Sequence, residues 1–286
     1  GPRRPRKRGG YDGKRDNPMN LTALLAIGGA AVLALLFGGG GGGSGGGAPR
    51  GKGLFVRSTG HAGSPDALIA RCREMGVTWI MLPVIWQKPA AADIRYDGKI
   101  DQYAAALKAA KIVVWIWGWP EPLKHKSFSA LMIATSARIG AAGICINAEK
   151  PWFGHNAHAA ELAATMNGQN WALSSYGGAY NFPSFPWAEF SSAPIGMPQI
   201  YDTKHNLGDG YPAKSIKKWR ELGYKTIAPT LGASSAHSPA QMVDIAKRTI
   251  AVGGIGALSW WDFYHLNQSS GRRGAVAAVT IPGAEA

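Results

Sequence analysis

The chain has 286 residues, of which 46% are hydrophobic and 17% charged, and it carries 39 glycines and a formal net charge of +14. This composition excludes a disordered chain, a collagen and a polytopic membrane protein, and the length allows one large domain with a tail. Residues 1–20 contain seven basic and two acidic residues, and Arg50 and Lys52 bring the first 52 residues to +7. The rest of the chain carries only +7, which argues against a nucleic acid partner.

The start of the chain has the pattern of a membrane anchor. Residues 1–20 form a basic tail, and residues 21–37 are seventeen consecutive residues without a charge. As a helix this segment is about 26 Å long, close to the bilayer hydrocarbon core of about 30 Å. The basic flank predicts a cytoplasmic N-terminus, with the rest of the chain on the periplasmic or extracellular side.

Two other interpretations of this helix stay open. A cleaved signal peptide has the same order of basic and apolar residues, although no A-x-A site follows the apolar run. A helix buried in an oligomeric assembly or a virion is also compatible with the small residues Gly28 and Gly29. The sequence therefore predicts either a lipid membrane or a protein assembly as the partner of residues 21–37.

A glycine-rich segment follows the apolar helix. Residues 38–47 are all glycine except Ser44. Glycine-rich chain is flexible and has no side chains to pack, so residues 38–53 are interpreted as a linker. This leaves residues 54–275 as the folded domain and residues 276–286 as a C-terminal tail.

From Leu54 onward, short apolar runs alternate with segments that have helix-like patterns. Eight runs are predicted strands: Leu54–Ser58, Val77–Trp86, Ile112–Trp117, Gly143–Glu149, Trp171–Tyr176, Ile195–Tyr201, Lys225–Leu231 and Ala257–Phe263. Eight strands alternating with helices predict a (β/α)8 barrel of the TIM type. A doubly wound open sheet is the alternative, but no GxGxxG follows the first strand and no P-loop occurs.

The sequence predicts no metal site and no cofactor. Cys72 and Cys145 lack the spacing of zinc ligands, and we expect two buried thiols. His155 and His158 share one helix-start face but have no third ligand nearby in the sequence.

The fourth predicted strand ends with Cys145, Asn147 and Glu149 at alternate positions. Alternate residues of a strand face the same side, and active sites of such barrels lie at the carboxyl ends of their strands. Glu149 is therefore predicted at the barrel mouth, where burial would raise its pKa and suit it to proton donation. The alternative is a structural Glu149 that forms an ion pair with Arg57 or Lys150.

The order G-I-x-I-x-x-E from Gly143 to Glu149 resembles the fourth-strand signature D-G-x-D-x-D-x-E of chitinase and endo-β-N-acetylglucosaminidase barrels. Glu149 falls on the general acid of that family, whereas Cys145 and Asn147 replace two aspartates. Tyr201-Asp202 at the sixth strand is similar to the family's Y-D pair. Trp260 or Trp261 at the eighth strand falls where these barrels place a tryptophan under the sugar.

The resemblance implies a mechanism in which the 2-acetamido oxygen of the substrate attacks the anomeric carbon. Asn147 would orient and polarise that amide, as an Asn-x-Glu pair does in a related group of endo-β-N-acetylglucosaminidases. Glu149, Asn147, Tyr201 and Asp202 are the predicted catalytic residues. A two-carboxylate mechanism, with Asp202 or Asp262 as the partner of Glu149, stays open, as do other sugar-cleaving barrels such as lysozyme-like ones.

Aromatic and polar side chains at the predicted strand ends favour a carbohydrate ligand, because sugar rings stack on aromatic faces while their hydroxyls bind polar groups. The predicted substrate-binding residues are Trp86, Trp117, Trp152, Tyr176, Gln199, Trp260, Trp261 and Asp262.

These features predict a membrane-anchored glycoside hydrolase-like protein that acts on an N-acetylhexosamine glycan, such as peptidoglycan or a chitin-like polymer, with a polysaccharide as substrate. The alternative is a catalytically inactive barrel that serves as a glycan-binding or structural module of an envelope or virus particle, because two aspartates of the resembled motif are missing.

Overall fold

The structure is a computed structural model that describes residues 47–89, 91–201, 208 and 210–284. The predicted basic tail, the apolar helix and most of the linker lie outside this part of the chain, and so does Asp202. Within the described residues, no helix combines the length and the apolar character needed to span a bilayer.

Parallel strands form a closed ring, which confirms the predicted (β/α)8 barrel. The strands are β1 Gly51–Phe55, β2 Val77–Trp86, β3 Val113–Trp119, β4 Gly143–Asn147, β5 Trp171–Tyr176, β6 Ile195–Ile200, β7 in two segments Thr226–Ile227 and Thr230–Gly232, and β8 Ala257–Trp261. Leu54 of β1 pairs with Ile80 of β2 on one side and with Trp260 of β8 on the other, so the first and last strands close the ring. A two-residue strand, Ile94–Arg95, pairs antiparallel with the end of β2 outside the ring.

Helices surround the ring, and two of them begin at serine caps. They are α1 Thr59–Ala62, α2 Pro65–Met75, α3 Ile100–Ala109, α4 His125–Ile139, α5 Asn156–Met166, α6 Trp187–Phe190, α7 Tyr211–Glu221, α8 Pro239–Ala251, α9 Phe263–Asn267 and α10 Ser270–Ala277, with 3₁₀ turns at Asp97–Lys99, Pro122–Lys124, Lys150–Trp152 and Ala179–Asn181. The Ser64 and Ser238 side chains accept hydrogen bonds from the first turns of α2 and α8, and proline occupies the next position in each.

Several strand ends differ from the sequence-based bounds. β1 begins at Gly51 rather than Leu54, so the last residues of the predicted linker belong to the sheet. β7 is interrupted between its two segments, where Pro229 has no backbone N–H to donate to a neighbouring strand. β4 ends at Asn147, which leaves Glu149 just beyond the strand rather than within it.

Alternating side chains build two separate apolar cores. One cluster lies inside the barrel and includes Phe55, Trp79, Trp115, Trp117 and Met197. The second, larger cluster lies between the strands and the helices. The barrel interior is therefore a packed core, and open space for a ligand is expected only beyond its upper layer.

Glycines on the strands make room for the large rings inside the barrel. A Cβ at Gly53 would overlap the indole of Trp79, and one at Gly143 would overlap the indole of Trp115. Gly143 of the fourth-strand motif therefore has a packing role that a larger residue cannot fill.

Lys52 on β1 connects the two ends of the folded domain. Its Nζ donates to Met75 O at 3.2 Å, to Val276 O at 3.0 Å and to Ala277 O at 2.9 Å, at the carboxyl ends of α2 and α10. Helix carboxyl ends carry unpaired carbonyls and a partial negative charge, so a lysine there stabilises both helices.

Replacement of Lys52 by methionine is expected to lower the free energy of unfolding by about 2 kcal/mol, the scale of hydrogen bonds from a charged donor. Urea unfolding measures this change. Lys217, whose side chain is 80% exposed, provides the matched control, because Lys217→Met is expected to change the free energy of unfolding by less than about 0.5 kcal/mol. Equal stabilities of the two variants would contradict a stabilising role for Lys52.

Candidate functional site

A ring of half-buried side chains surrounds the carboxyl end of the barrel. It consists of Arg57, Trp86, Trp119, Glu149, Tyr176, Tyr201 and Trp261. Apart from Trp86, each follows an inward-facing residue of the interior core by two or four positions, so strand alternation directs it over the mouth. The predicted residues Trp86, Glu149, Tyr176, Tyr201 and Trp261 are thus brought to one end of the barrel.

An amide and carboxylate network lies on the β4, β5 and β6 side of the mouth. Gln199 Nε2 lies 2.8 Å from Asn147 Oδ1, 3.1 Å from Glu149 Oε1 and 3.3 Å from Ser174 Oγ, and donates to these three acceptors. Asn147, Gln199 and Ser174 are buried, whereas Glu149 is half-buried. The predicted pair of Asn147 and Glu149 is therefore held by a glutamine from the neighbouring part of the ring.

The orientation of the Asn147 amide depends on the charge of Glu149. When the amide oxygen points to Glu149, two acceptors face each other unless the carboxyl is protonated. A flip that exchanges the amide oxygen and nitrogen lets Asn147 donate to Glu149 Oε1 at 3.2 Å. In that orientation the Asn147 nitrogen lies 2.8 Å from Gln199 Nε2, so the Gln199 amide must turn as well to avoid two facing donors.

Burial perturbs the ionisable groups of this network. It raises the pKa of the Glu149 carboxyl above its usual range, and hydrogen bonds from Gln199 and Asn147 oppose that shift. Burial and the charge of Glu149 raise the pKa of Tyr176 to about 12. The pKa of Tyr201 is raised well above its usual range by burial and then by the charges of Glu149 and Asp262. Both phenols therefore stay protonated beside the carboxylate at neutral pH and can donate hydrogen bonds.

The predicted ion pair of Glu149 with Arg57 or Lys150 does not form in this structure. Arg57 Nε instead lies 2.5 Å from Asp262 Oδ2, and Asp262 is fully buried. Between the residues that the structure describes, no lysine or arginine nitrogen comes within 4.0 Å of the Glu149 carboxylate. Glu149 is consequently held by neutral donors alone, which is the environment expected of a proton donor.

Half-buried aromatic rings lie next to this polar network. The Trp86 and Trp119 rings contact each other with centroids 5.6 Å apart, and Tyr176 stacks on Phe182 at 4.0 Å. Trp261 packs edge-on against Trp117 at 5.2 Å. Trp86, Trp119, Tyr176 and Trp261 retain exposed surface, so they can contact the apolar face of a sugar ring.

Three predicted substrate-binding tryptophans do not have such a surface. Trp117 lies in the interior core and donates from Nε1 to Val56 O at 2.9 Å. Trp152 is fully buried against Phe190 and donates to Pro120 O at 3.0 Å. Trp260 is fully buried among the helices on the outside of the barrel. Their full burial is the physical reason why the predicted stacking role of these three side chains is wrong in this structure.

Asp262 is also less accessible than the sequence predicts. Besides its pair with Arg57, it accepts a hydrogen bond from His265 N at 3.3 Å and caps α9. The peptide bond between Trp261 and Asp262 is cis. Because Asp262 has no exposed surface, it orients Arg57 and α9 rather than contacting a substrate.

Ser174 is a mouth residue that is missing from the predicted site, and the sequence places Arg57 there only as an alternative ion-pair partner of Glu149. Ser174 lies on β5 between Ala172, which faces the interior, and Tyr176 at the mouth. The same alternation that predicts Glu149 at the mouth would have indicated Ser174. Arg57 follows Phe55, an interior residue of β1, by two positions.

The remaining polar clusters do not have the geometry of a metal centre. Nδ1 of His155 lies 3.4 Å from Nδ1 of His158, and His125 Nε2 lies 3.0 Å from Glu161 Oε2. Across the described ranges, no group of three histidine, cysteine, aspartate or glutamate side chains is arranged to hold a metal ion.

A cavity of about 360 Å³ lies at the opposite end of the barrel, near the starts of β7 and β8. Arg50 is the one ionisable side chain in its described lining. With no carboxylate and no aromatic ring, this cavity lacks the groups expected for glycan cleavage, so the mouth is the candidate site.

Comparison with known proteins identifies the fold. No protein-family model matches the sequence, and no curated protein matches it. A chitinase from Bacteroides thetaiotaomicron has a similar structure, with a TM-score of 0.61 and 10% identity over 80% of this chain and 96% of that chain. The Bacillus cereus spore cortex-lytic enzyme SleL gives a TM-score of 0.59 with 8% identity over 80% of this chain and 73% of that chain.

The xylanase and α-amylase inhibitor protein XAIP-II from Scadoxus multiflorus is also similar. Its TM-score is 0.58, with 10% identity over 82% of this chain and 100% of that chain. Enzymes and an inhibitor therefore share one architecture, so the architecture alone does not decide between catalysis and binding. The described part of the chain has the (β/α)8 barrel fold of chitinase-like proteins.

Proposed function

We propose that this protein is a glycoside hydrolase that cleaves an N-acetylhexosamine glycan at the barrel mouth, with Glu149 as general acid. The observation that carries the proposal is the environment of Glu149, a half-buried carboxylate held by the Gln199 amide and without a cationic partner among the described residues. Its raised pKa keeps a proton available closer to neutral pH. Chitinases with the same fold support a glycan as substrate.

In the proposed reaction, Glu149 donates its proton to the glycosidic oxygen as the bond from that oxygen to the anomeric carbon breaks. The 2-acetamido oxygen of the same sugar attacks the anomeric carbon and forms a cyclic oxazolinium ion. The Glu149 carboxylate then takes a proton from water, and the water oxygen opens the ring at the anomeric carbon. The product keeps its original anomeric configuration because two inversions occur.

Neighbouring side chains have distinct roles in this mechanism. Asn147, held by Gln199, orients the acetamido group and hydrogen-bonds the developing charge. Tyr201 stays protonated, so its hydroxyl can donate a hydrogen bond to the substrate. The burial of Asp262 argues against it as a second catalytic carboxylate. Asp202 lies outside the described residues, and its catalytic role stays a prediction.

Substrates with and without acetyl groups test the proposal. The full-length chain is expected to release reducing ends from a β-linked N-acetylglucosamine oligosaccharide and to leave the deacetylated oligosaccharide intact. NMR of the first product is expected to show retention of the β-anomer. Cleavage of both oligosaccharides would contradict the role of the acetamido group. If neither oligosaccharide released reducing ends, catalysis itself would be contradicted.

A binding function without turnover is the second candidate. Cys145, which replaces an aspartate of the resembled motif, is a fully buried thiol whose pKa is raised by burial, so it adds no charge to the site. The inhibitor protein with the same fold supports a binding role. Saturable binding of the oligosaccharide with no reducing-end release would establish this function.

We also propose that residues 21–37 anchor the protein in a membrane with the barrel on the outer side. The uncharged length of this segment and its basic flank support the proposal. The full-length chain is expected to sediment with membranes, to resist extraction with high salt and to dissolve in detergent. A chain that starts at residue 47 is expected to stay in the supernatant. Recovery of the full-length chain in a detergent-resistant protein particle would instead favour the assembly-buried helix.

A further inference from the structure

A guanidinium belongs to the same ring of half-buried mouth side chains as Glu149. Arg57 follows β1 and pairs with Asp262, which follows β8, whereas Glu149 follows β4. A ligand that covers the mouth can therefore contact both Glu149 and the Arg57–Asp262 pair. The proposed mechanism does not use this pair.

The geometry of the pair leaves the outer edge of the guanidinium available. Asp262 contacts Arg57 through Nε, and Asp262 is buried while 37% of the Arg57 side chain is exposed. Among the described residues, none accepts a hydrogen bond from the two terminal nitrogens of Arg57. These nitrogens carry four N–H donors in one plane. A ligand that approaches the mouth consequently meets the cation before it meets the carboxylate behind it.

The indole of Trp261 fixes the guanidinium further. Arg57 Cζ lies 5.8 Å from the centre of the Trp261 ring, and Trp261 itself packs against Phe55 at 5.5 Å. An arginine held by a buried carboxylate on one edge and an aromatic ring on one face loses little conformational entropy when it binds a ligand. Such a planar fork matches the two oxygens of a carboxylate.

We infer that Arg57 binds a carboxylate of the glycan, so that the substrate is an acidic N-acetylhexosamine polymer rather than neutral chitin. This inference rests on the proposed function, because it assigns the substrate class of the same site. The carboxylate can come from a uronic acid ring or from a lactyl ether on the hexosamine. Both present the same pair of oxygens to the guanidinium.

Binding to acidic and neutralised oligosaccharides tests the inference. The probes are two tetrasaccharides in which N-acetylglucosamine alternates with N-acetylmuramic acid or with glucuronic acid, the methyl esters of both, and neutral chitotetraose. At least one free acid is expected to bind the full-length protein about tenfold more tightly than its own ester, as a charge-assisted hydrogen bond predicts. The acid that shows this preference identifies the source of the carboxylate.

Variants locate the effect at Arg57. In Arg57→Gln, and in the double variant Arg57→Gln with Asp262→Asn that leaves no buried unpaired charge, the preference for the free acid is expected to fall below about twofold. Lys150→Gln, which removes an exposed positive charge next to Glu149, is the control and is expected to keep the preference. An equal loss in Lys150→Gln would show a nonspecific charge effect and would overturn the inference.

Two different binding results separate a failure of the carboxylate site from a failure of the proposed function. Equal affinity of both free acids and their esters, together with binding of chitotetraose, would overturn the carboxylate site and leave glycan binding intact. Absence of binding for all the probes would overturn the proposed function itself.

Discussion

The Glu149→Gln variant is expected to lose glycan cleavage by a factor of about 10² to 10⁴, the usual contribution of a general acid. Glutamine keeps the size and the hydrogen-bonding capacity of the side chain but cannot donate a proton to the glycosidic oxygen. Reducing-end release measures the change. In the wild-type protein, activity is expected to fall as the pH rises through the raised pKa of Glu149, because the acid form is then lost.

The same substitution is expected to stabilise the fold at neutral pH. The pKa of Glu149 is higher in the folded chain than in the unfolded chain, so the stability that this group contributes is present at low pH and is lost as the pH rises through the folded pKa. A neutral amide avoids that loss. Thermal unfolding at neutral and acidic pH measures the difference between variant and wild type, which is expected to disappear under acid conditions.

Glu121 provides the matched control for both measurements. It is a buried carboxylate near the mouth whose Oε2 accepts a hydrogen bond from Leu123 N at 3.0 Å. Glu121→Gln is expected to leave cleavage unchanged, because this side chain caps a turn. If Glu149→Gln destabilised the protein at neutral pH and left cleavage intact, Glu149 would be a structural residue.

The Trp117→Ala variant is expected to lower the free energy of unfolding by about 3–5 kcal/mol, the range for deleting a fully buried aromatic side chain. Trp117 contacts Phe55 and Trp261 at ring distances of 5.9 Å and 5.2 Å, and its Nε1 is hydrogen-bonded inside the barrel. Its removal opens a cavity that these rings cannot fill without shifting. Urea unfolding measures the loss.

Trp86→Ala is the matched comparison at the mouth. Trp86 is half-buried, so its removal is expected to cost less stability while weakening oligosaccharide binding about fivefold, the scale of one aromatic contact. A Trp117→Ala variant that kept its stability and lost binding would contradict the assignment of Trp117 to the core.

The alternation of apolar residues explains why the barrel could be predicted from the sequence. The predicted bounds of β2 and β5 agree with the structure at both ends, because both strands are bounded by clear changes in composition. The same period of two places Asn147 and Glu149 on one side of the chain. Local pattern is therefore sufficient for the strand count and for the direction of the fourth-strand motif.

The functional face of each tryptophan could not be predicted in the same way. Trp260 and Trp261 are adjacent on β8, so one faces the helices and the other faces the mouth, and alternation alone does not say which. The direction of each ring depends on the residues that pack around it. Trp115, for example, has room inside the barrel because its partner on the neighbouring strand is Gly143. The Arg57–Asp262 pair joins the ends of the first and last strands, so it forms only when the ring closes.

Titration of the Glu149→Gln variant with a β-linked N-acetylglucosamine oligosaccharide, followed by tryptophan fluorescence, measures whether the barrel mouth binds a glycan. The variant is not expected to cleave the ligand, so the signal reports binding at the mouth. We expect saturable binding that changes the fluorescence and weakens when Trp119→Ala is added. Absence of saturable binding, or binding that Trp86→Ala and Trp119→Ala both leave unchanged, would contradict a glycan site at the barrel mouth.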